Sequence, residues 1–367
     1  MGLFQSIKKL FGGSTKEVGK KRAEILIDPY SSIEELISKR ELSDIGELYV
    51  KGQVRTTKSN ELFDYVKTIC EKYERLYLLD LSGIVGMDEV KENALCNCNS
   101  LKKVIFPVGV RNIHNEALKG CKNLQSVVLP EGLERIMEGV FAECPKLSDV
   151  KLPQSLFRIG IGVFEGDDSL TEISLPCRVE SIGTSALNCK NLKTIIVEPH
   201  NPSYIAIDNV LFSRNGSALV RYAPGKENST FVIPDQVAKI GEEAFWGCGN
   251  LNEVTLTGNV VIVAKKAFMA CTALDHIDIP SRVEKIDENA FENCTNLTVV
   301  NFSNGITSIG NQAFKNCKKL KRADLPMSLV KIGDEVFSNC ESMTYCDIPS
   351  SVDYIGKDVF KGTQISK

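Results

Sequence analysis

The chain has 367 residues, 43% of them hydrophobic, a formal net charge of −3 and 13 cysteines. That is the composition of an ordinary folded chain, which excludes a disordered or collagen-like one. No apolar run approaches the length of a membrane span, and so mild a charge leaves no electrostatic footprint for nucleic acid.

Residues 1–11, MGLFQSIKKLF, place Leu3, Phe4, Ile7, Leu10 and Phe11 on one helical face, with Lys8 and Lys9 off it. Gly12, Gly13 and Ser14 break the pattern, and Lys16, Lys20, Lys21 and Arg22 follow. An apolar stripe with basic flanks predicts peripheral membrane contact through residues 1–22, made by Leu3, Phe4, Ile7, Lys8, Lys9 and Phe11. The alternative is a free leader, or a short helix that docks on the body. Gly2 and Ser6 fit an N-myristoylation pattern. Lysines interrupt the apolar stretch, so it does not read as a secretory signal. The basic amphipathic leader is delimited at 1–27.

Residues 28–100 are read as an N-terminal cap and a first irregular repeat. DPYSSIEELISKRE predicts a helix with Ile33, Leu36 and Ile37 on one face. GELYVKGQV alternates and predicts a strand. SNELFDYVKTICEKY predicts a second helix, with Leu62, Phe63, Val66 and Ile69 inward. LYLLDLSG predicts a strand with Leu76, Leu79 and Leu81 inward. A repeat array exposes a raw apolar end unless something covers it, so the segment is expected to be a cap; a separate binding domain is the alternative.

From residue 101 to 367 one sentence repeats. Cys98, Cys121 and Cys144 are 23 residues apart, as are Cys248, Cys271, Cys294, Cys317 and Cys340. Pro107, Pro130, Pro153, Pro176 and Pro199 keep the same step. A fixed period of this size means one supersecondary unit stacked on copies of itself. In LQSVVLP, Leu124, Val127 and Leu129 face one way and Ser126 and Val128 the other, as in a short strand with one face in the core. Pro130 ends the pairing. Leu133, Ile136, Val140 and Phe141 then return to the same core. Ile-Gly recurs, as at Ile159-Gly160 and Ile309-Gly310, which predicts a tight corner or a positive φ. Phenylalanines at one phase, among them Phe141, Phe164, Phe245, Phe291 and Phe360, predict a stacked ladder, with leucine there at Leu95, Leu118 and Leu187. The periodic cysteine reads as a small buried wedge. Free thiols are expected, although cysteines stacked one repeat apart also fall within bridging distance.

Repeat starts between Leu101 and Met343 give 11 units, or roughly 50 Å of stacked strands at about 4.8 Å each. The step from Leu192 to Asn228 is 36 residues instead of 23. The surplus predicts a hairpin insertion at about 199–227, turning at Arg214-Asn215-Gly216. Insertions in solenoids map to one face, often a binding face; a hairpin that merely packs on its own repeat is the other reading.

Nothing in the sequence assembles into a catalytic or metal motif. His114, His200 and His276 have no ligand partner at metal spacing, and no P-loop, GxSxG or HExxH is present. The expectation is therefore no enzyme and no cofactor. The outward strand positions are more informative. In the C-terminal half one column reads Asp278, Asn301, Asp324 and Asp347, with His276, Arg322 and Tyr345 beside it. These seven are the candidate partner-binding residues, on what a curved array would make its concave face, and they suit a basic partner. A solvated face that blocks aggregation is the alternative. The last repeat stops at Phe360 without a distinct cap, which predicts end-to-end association.

The pattern LxxVxLPxxLxxIGxxAFxxC, over roughly residues 76–363, resembles the BspA-like, or Treponema-type, leucine-rich repeat family. DNVLFSRNGSALVRYAPGK is similar to an insert found in that family, and LYVKGQV with LYLLDLSG is similar to caps in its members. The resemblance implies an α/β repeat solenoid: a curved leucine-rich repeat array of 23-residue repeats with an α+β N-terminal cap. It also implies a bacterial surface protein that binds host or matrix proteins, or other bacteria. Family adhesins usually carry a secretion signal, and the leader does not read as one. Two functions are therefore expected from the sequence: a protein-binding adhesin, or an intracellular scaffold held at a membrane by the N-terminal segment.

Overall fold

The computed structural model describes residues 21–27, 45–54 and 56–365. The amphipathic segment 1–11 with its proposed membrane-contact residues, and the helix expected over 28–41, lie outside the described residues.

Each 23-residue unit makes one turn of a β-solenoid. Its first limb is a strand of two to four residues, such as Ser126–Val128, paired in parallel with the same strand one repeat away: Lys103 with Ser126, Val104 with Val127, Ile105 with Val128. Leu124, Val127 and Leu129 are buried as their alternation requires, while Val128 is exposed. At the corner, Pro130 has no N–H to extend the ladder, and its carbonyl instead accepts the Leu133 N–H at 3.2 Å. A two-residue bridge such as Arg135–Ile136 forms the second limb and pairs in parallel with its neighbours on both sides. The remainder of the unit is turns. Helix is confined to the cap among the described residues.

The Ile-Gly corner is a matter of space and not of φ. At Gly160 a Cβ would lie 2.5 Å from the Met137 carbonyl carbon, and at Gly310 it would lie 2.6 Å from the Glu288 nitrogen. Neither has a positive φ; that conformation falls three residues after the isoleucine, at Gly162 and Gln312.

The expected aromatic ladder is present. Phe245, Phe268, Phe291 and Phe314 stack at 4.8, 5.0 and 5.1 Å between successive centroids, within 5° of parallel. It continues through Phe337 to Phe360. Tyr222 of the insert joins it, stacked on Phe245 at 5.4 Å, an addition the repeat period does not announce. Each buried ring is worth about 2–3 kcal/mol.

All 13 cysteines are free thiols. The periodic ones do more than fill space: Cys271, Cys294 and Cys317 each donate Sγ–H to the carbonyl of the ladder phenylalanine one repeat earlier, at 3.0–3.2 Å. Where the run reaches residue 167 an aspartate takes the cysteine's place. Asp167 is fully buried, and its Oδ1 accepts the Cys144 N–H at 2.8 Å.

In the cap, β1 (Lys21–Ile27), β2 (Ile45–Gln53) and β3 (Leu78–Val85) are parallel neighbours, and they continue into the first repeat strand, Lys103–Ile105. The leader expected over 1–27 is thus corrected at its end: AEILI alternates well enough to add an edge strand, with Ile25 and Ile27 buried. Helix α1 (Thr56–Tyr73) connects β2 to β3. It buries Leu62, Phe63, Val66 and Ile69 in the core shared with the repeats. At the other end the last repeat leaves Tyr354 and Ile355 about half exposed, although Ile332 one repeat earlier is fully buried.

The insert is a three-stranded antiparallel unit, Tyr204–Ile207, Val210–Ser213 and Ala218–Tyr222, one strand more than the hairpin expected. Its last strand pairs in parallel with the next bridge, Lys239–Ile240. The bridge sheet and the apolar core both divide at this point.

Candidate protein-interaction face

The outward side chains of the first limb form two columns, aligned by pairing within each of two strand pairs. His276 pairs with Val299 and Asp278 with Asn301; Arg322 pairs with Tyr345 and Asp324 with Asp347. Asp278, Asn301, Arg322, Asp324, Tyr345 and Asp347 are exposed and His276 is half-buried. They come from the strands His276–Ile279, Val299–Phe302, Arg322–Asp324 and Tyr345–Asp347.

These side chains do not stand as a bare row of like charges. The Asn301 amide donates to Asp278 Oδ1 at 2.7 Å, and Arg322 pairs with Asp324 on its own strand. Such contacts relieve the repulsion that stacked carboxylates would bring. His276 lies 3.9 Å from Glu253 and 4.0 Å from Asp275, so its protonated form has carboxylates on both sides. The N-terminal half of the same face carries exposed apolar side chains among polar ones: Val128, Ile196 and Val232 are 43%, 42% and 62% exposed, and Lys151 and Ser174 are exposed between the first two. A depression of about 280 Å³, lined by Asp149, Lys151, Glu172 and Glu198, lies within the N-terminal half, between the strands that carry Val128 and Ile196, at one of the interruptions of the strand sheet. After the polar depression the column therefore runs through the apolar Ile196 and Val232 to the acidic stretch that begins at Asp278.

A second concavity, which the candidate residues did not include, lies beside the insert. Residues 182–188 form one wall of a cavity of about 230 Å³, and Ala218–Arg221 with Gly241–Glu243 form the other. Glu243 is buried there at positive φ, held by Ser185 Oγ at 2.5 Å, Asn188 Nδ2 at 2.8 Å and Lys266 Nζ at 3.3 Å. Arg221 is buried too and donates to the Glu243 and Trp246 carbonyls; burial pulls its guanidinium below the usual range. The sequence signal for this place was the 36-residue step, which locates a break in the stack but not its lining.

Among the described residues no group of His, Cys, Asp and Glu is placed to hold a metal, and no helix is long and apolar enough to cross a membrane.

A model of the BspA type leucine rich repeat region matches the chain in six copies, over residues 88–217, 225–318 and 261–367. The curated proteins contain no match. Among solved structures, a leucine-rich repeat protein from Eubacterium ventriosum is 24% identical with a TM-score of 0.65, covering 93% of this chain and 89% of that one. A leucine rich cell surface protein from Faecalibacterium prausnitzii is 29% identical with a TM-score of 0.55, covering 71% and 83%. The pneumococcal vaccine antigen PcpA is 19% identical with a TM-score of 0.55, covering 79% and 78%. The first and third share the fold with this chain.

Proposed function

This chain belongs to the BspA-type leucine-rich repeat family, whose repeats generally serve as protein-interaction modules, and from that premise we propose that it is a non-enzymatic binding protein that meets its partner across the strand face. The observation that carries the reading is the set of exposed side chains on that face, with apolar Ile196 and Val232 followed by the acidic Asp278, Asp324 and Asp347. The core beneath repeats with little variation, whereas the face does not, so the information for recognition lies there. A partner with an apolar patch next to a basic one fits it, through Asp278, Asn301, Asp324 and Asp347 with His276, Arg322 and Tyr345.

The setting proposed is adhesion at a cell surface, with host or matrix proteins as partners, and the similarity to the Faecalibacterium cell surface protein supports it. The amphipathic pattern of residues 1–11 favours a second reading, an intracellular scaffold tethered at a membrane surface. Protease shaving of intact native cells, with fractionation of the chain lacking residues 1–22, separates the two. Cleavage of the exposed chain supports adhesion. A chain protected in intact cells, and released from the membrane fraction by the deletion, ends the adhesion reading and leaves the scaffold.

A further inference from the structure

After each bridge the turn is tied to the next repeat by main-chain bonds. At the regular steps, N–H groups two residues apart donate to carbonyls two residues apart. Gly162 and Phe164 donate to Thr184 and Ala186 at 2.9 and 3.1 Å; Lys266 and Phe268 donate to Glu288 and Ala290 at 2.9 and 2.7 Å. At the step that the insert enters, the pattern stops. Ser185 and Leu187 stand at the donor positions, yet neither N–H has a hydrogen bond among the described residues. Across the cavity, Glu242 stands where Thr184 and Glu288 accept, and its carbonyl accepts none. The insert strand Ala218–Tyr222 lines the opposite side of the cavity, and its carbonyls accept from neither Ser185 nor Leu187.

The side chains around the gap are largely engaged with one another. Ser185 Oγ and Asn188 Nδ2 are taken by Glu243, and two nitrogens of Arg221 by carbonyls. What remains unsatisfied is main chain, together with the buried Arg221 Nε–H. Leu187 is buried and Ser185 half-buried, and an unpaired main-chain N–H in such a place costs free energy until something satisfies it. At the regular steps the accepting carbonyls lie two residues apart, as the carbonyls on one edge of an extended strand also do. The cavity is smaller than the roughly 300–1,000 Å³ of drug-sized pockets, so its occupant is short.

We propose that this open step is a second binding site, which takes a short extended peptide of small residues from a protein partner by strand addition. Two peptide carbonyls accept from Ser185 and Leu187, and a peptide N–H donates to Glu242, so that the guest completes the interrupted ladder. Recognition is by backbone, and the cavity limits side-chain size. The strand face is a different surface, so failure here leaves the protein-binding reading above as it stands.

The test is amide hydrogen exchange by NMR on the full chain, with acetyl-Ala-Val-Ala-amide at millimolar concentration as probe. Exchange at Ser185 and Leu187 should slow by about fivefold, the effect of a net hydrogen bond of roughly 1 kcal/mol. Ala218→Trp, which fills the cavity from the insert side, should abolish the slowing. Should that variant not fold, peptide-induced shift changes in the unaltered chain decide alone: they should cluster at 183–188 and 241–243. No slowing, slowing that survives the filled cavity, or shift changes confined elsewhere would each overturn the proposal.

Discussion

Replacing Phe291 by alanine removes a middle ring of the aromatic stack. Phe291 is fully buried, 5.0 Å from Phe268 and 5.1 Å from Phe314, with interplanar angles of 2° and 1°. Truncating a buried phenylalanine costs roughly 3–5 kcal/mol, and two aromatic pairs at roughly 0.5–1.5 kcal/mol each place this site at the upper end. Phe141 is as deeply buried but stacks on one ring, Phe164 at 5.5 Å, because Leu118 precedes it in the ladder. Phe141→Ala should therefore cost about one aromatic pair less, roughly 1 kcal/mol. Phe291→Leu, which installs the residue found at Leu118 and Leu187, should lose stacking and little volume, at roughly 1–3 kcal/mol. Repeats couple only to their neighbours, so the alanine variant should also loosen the repeats after residue 291 before those ahead of it. Urea unfolding followed by circular dichroism gives the magnitudes, and hydrogen exchange gives the location. Equal costs for Phe141→Ala and Phe291→Ala, with Phe291→Leu as costly as either, would refute the argument that stacking adds to burial.

Three further outcomes follow from the packing. Burial pushes the Asp167 carboxyl well above its usual range, and its Oδ2 has no partner. Its protonated form is therefore favoured by folding, and that stability is present below the unfolded carboxyl value and lost as pH rises above about 4. Asp167→Asn should remove this loss, so its gain in Tm over the unaltered chain should be larger at pH 8 than at pH 4; a gain that does not change with pH would contradict the assignment. Gly310→Ala should destabilise by about 1–3 kcal/mol, because the added methyl meets backbone of the neighbouring repeat, whereas Gly258→Ala, with nothing within 4 Å, should be near neutral in the same urea titration. Burial also raises the thiols of Cys271, Cys317 and Cys340, the last to about 12. Iodoacetamide at pH 8 should accordingly label the partly exposed Cys96 and Cys177 long before that column, and mass spectrometry of labelled peptides would show otherwise if the column were accessible.

The period-2 alternation of LQSVVLP and the 23-residue step were enough to read the solenoid, because each repeat imposes the same burial on the same phase. The outward columns followed from the same alternation: Asp278 aligns with Asn301, and Asp324 with Asp347, as the phase requires. Three things were not legible, for physical reasons. The conformation of the Ile-Gly corner depends on the distance to a backbone 23 residues away, which a single repeat does not display. The cysteine's hydrogen bond runs to a carbonyl, and carbonyls are common to every residue type. The open donors of Ser185 and Leu187 arise from what the insert fails to supply, and ordinary residues carry them. Arg22 closes the basic run of residues 16–22, yet the alternation that begins at Ala23 draws it into β1.

The most direct measurement is a paired capture, with the intact chain and its Asp324→Lys, Asp347→Lys double variant immobilised side by side and exposed to proteins from the chain's native surroundings. The variant's fold is checked first by its unfolding midpoint, since both positions are exposed. A protein retained by the intact chain and released by the double reversal, with its salt sensitivity lost as well, is the predicted result. The same proteins retained equally by both would contradict recognition across the acidic strand face.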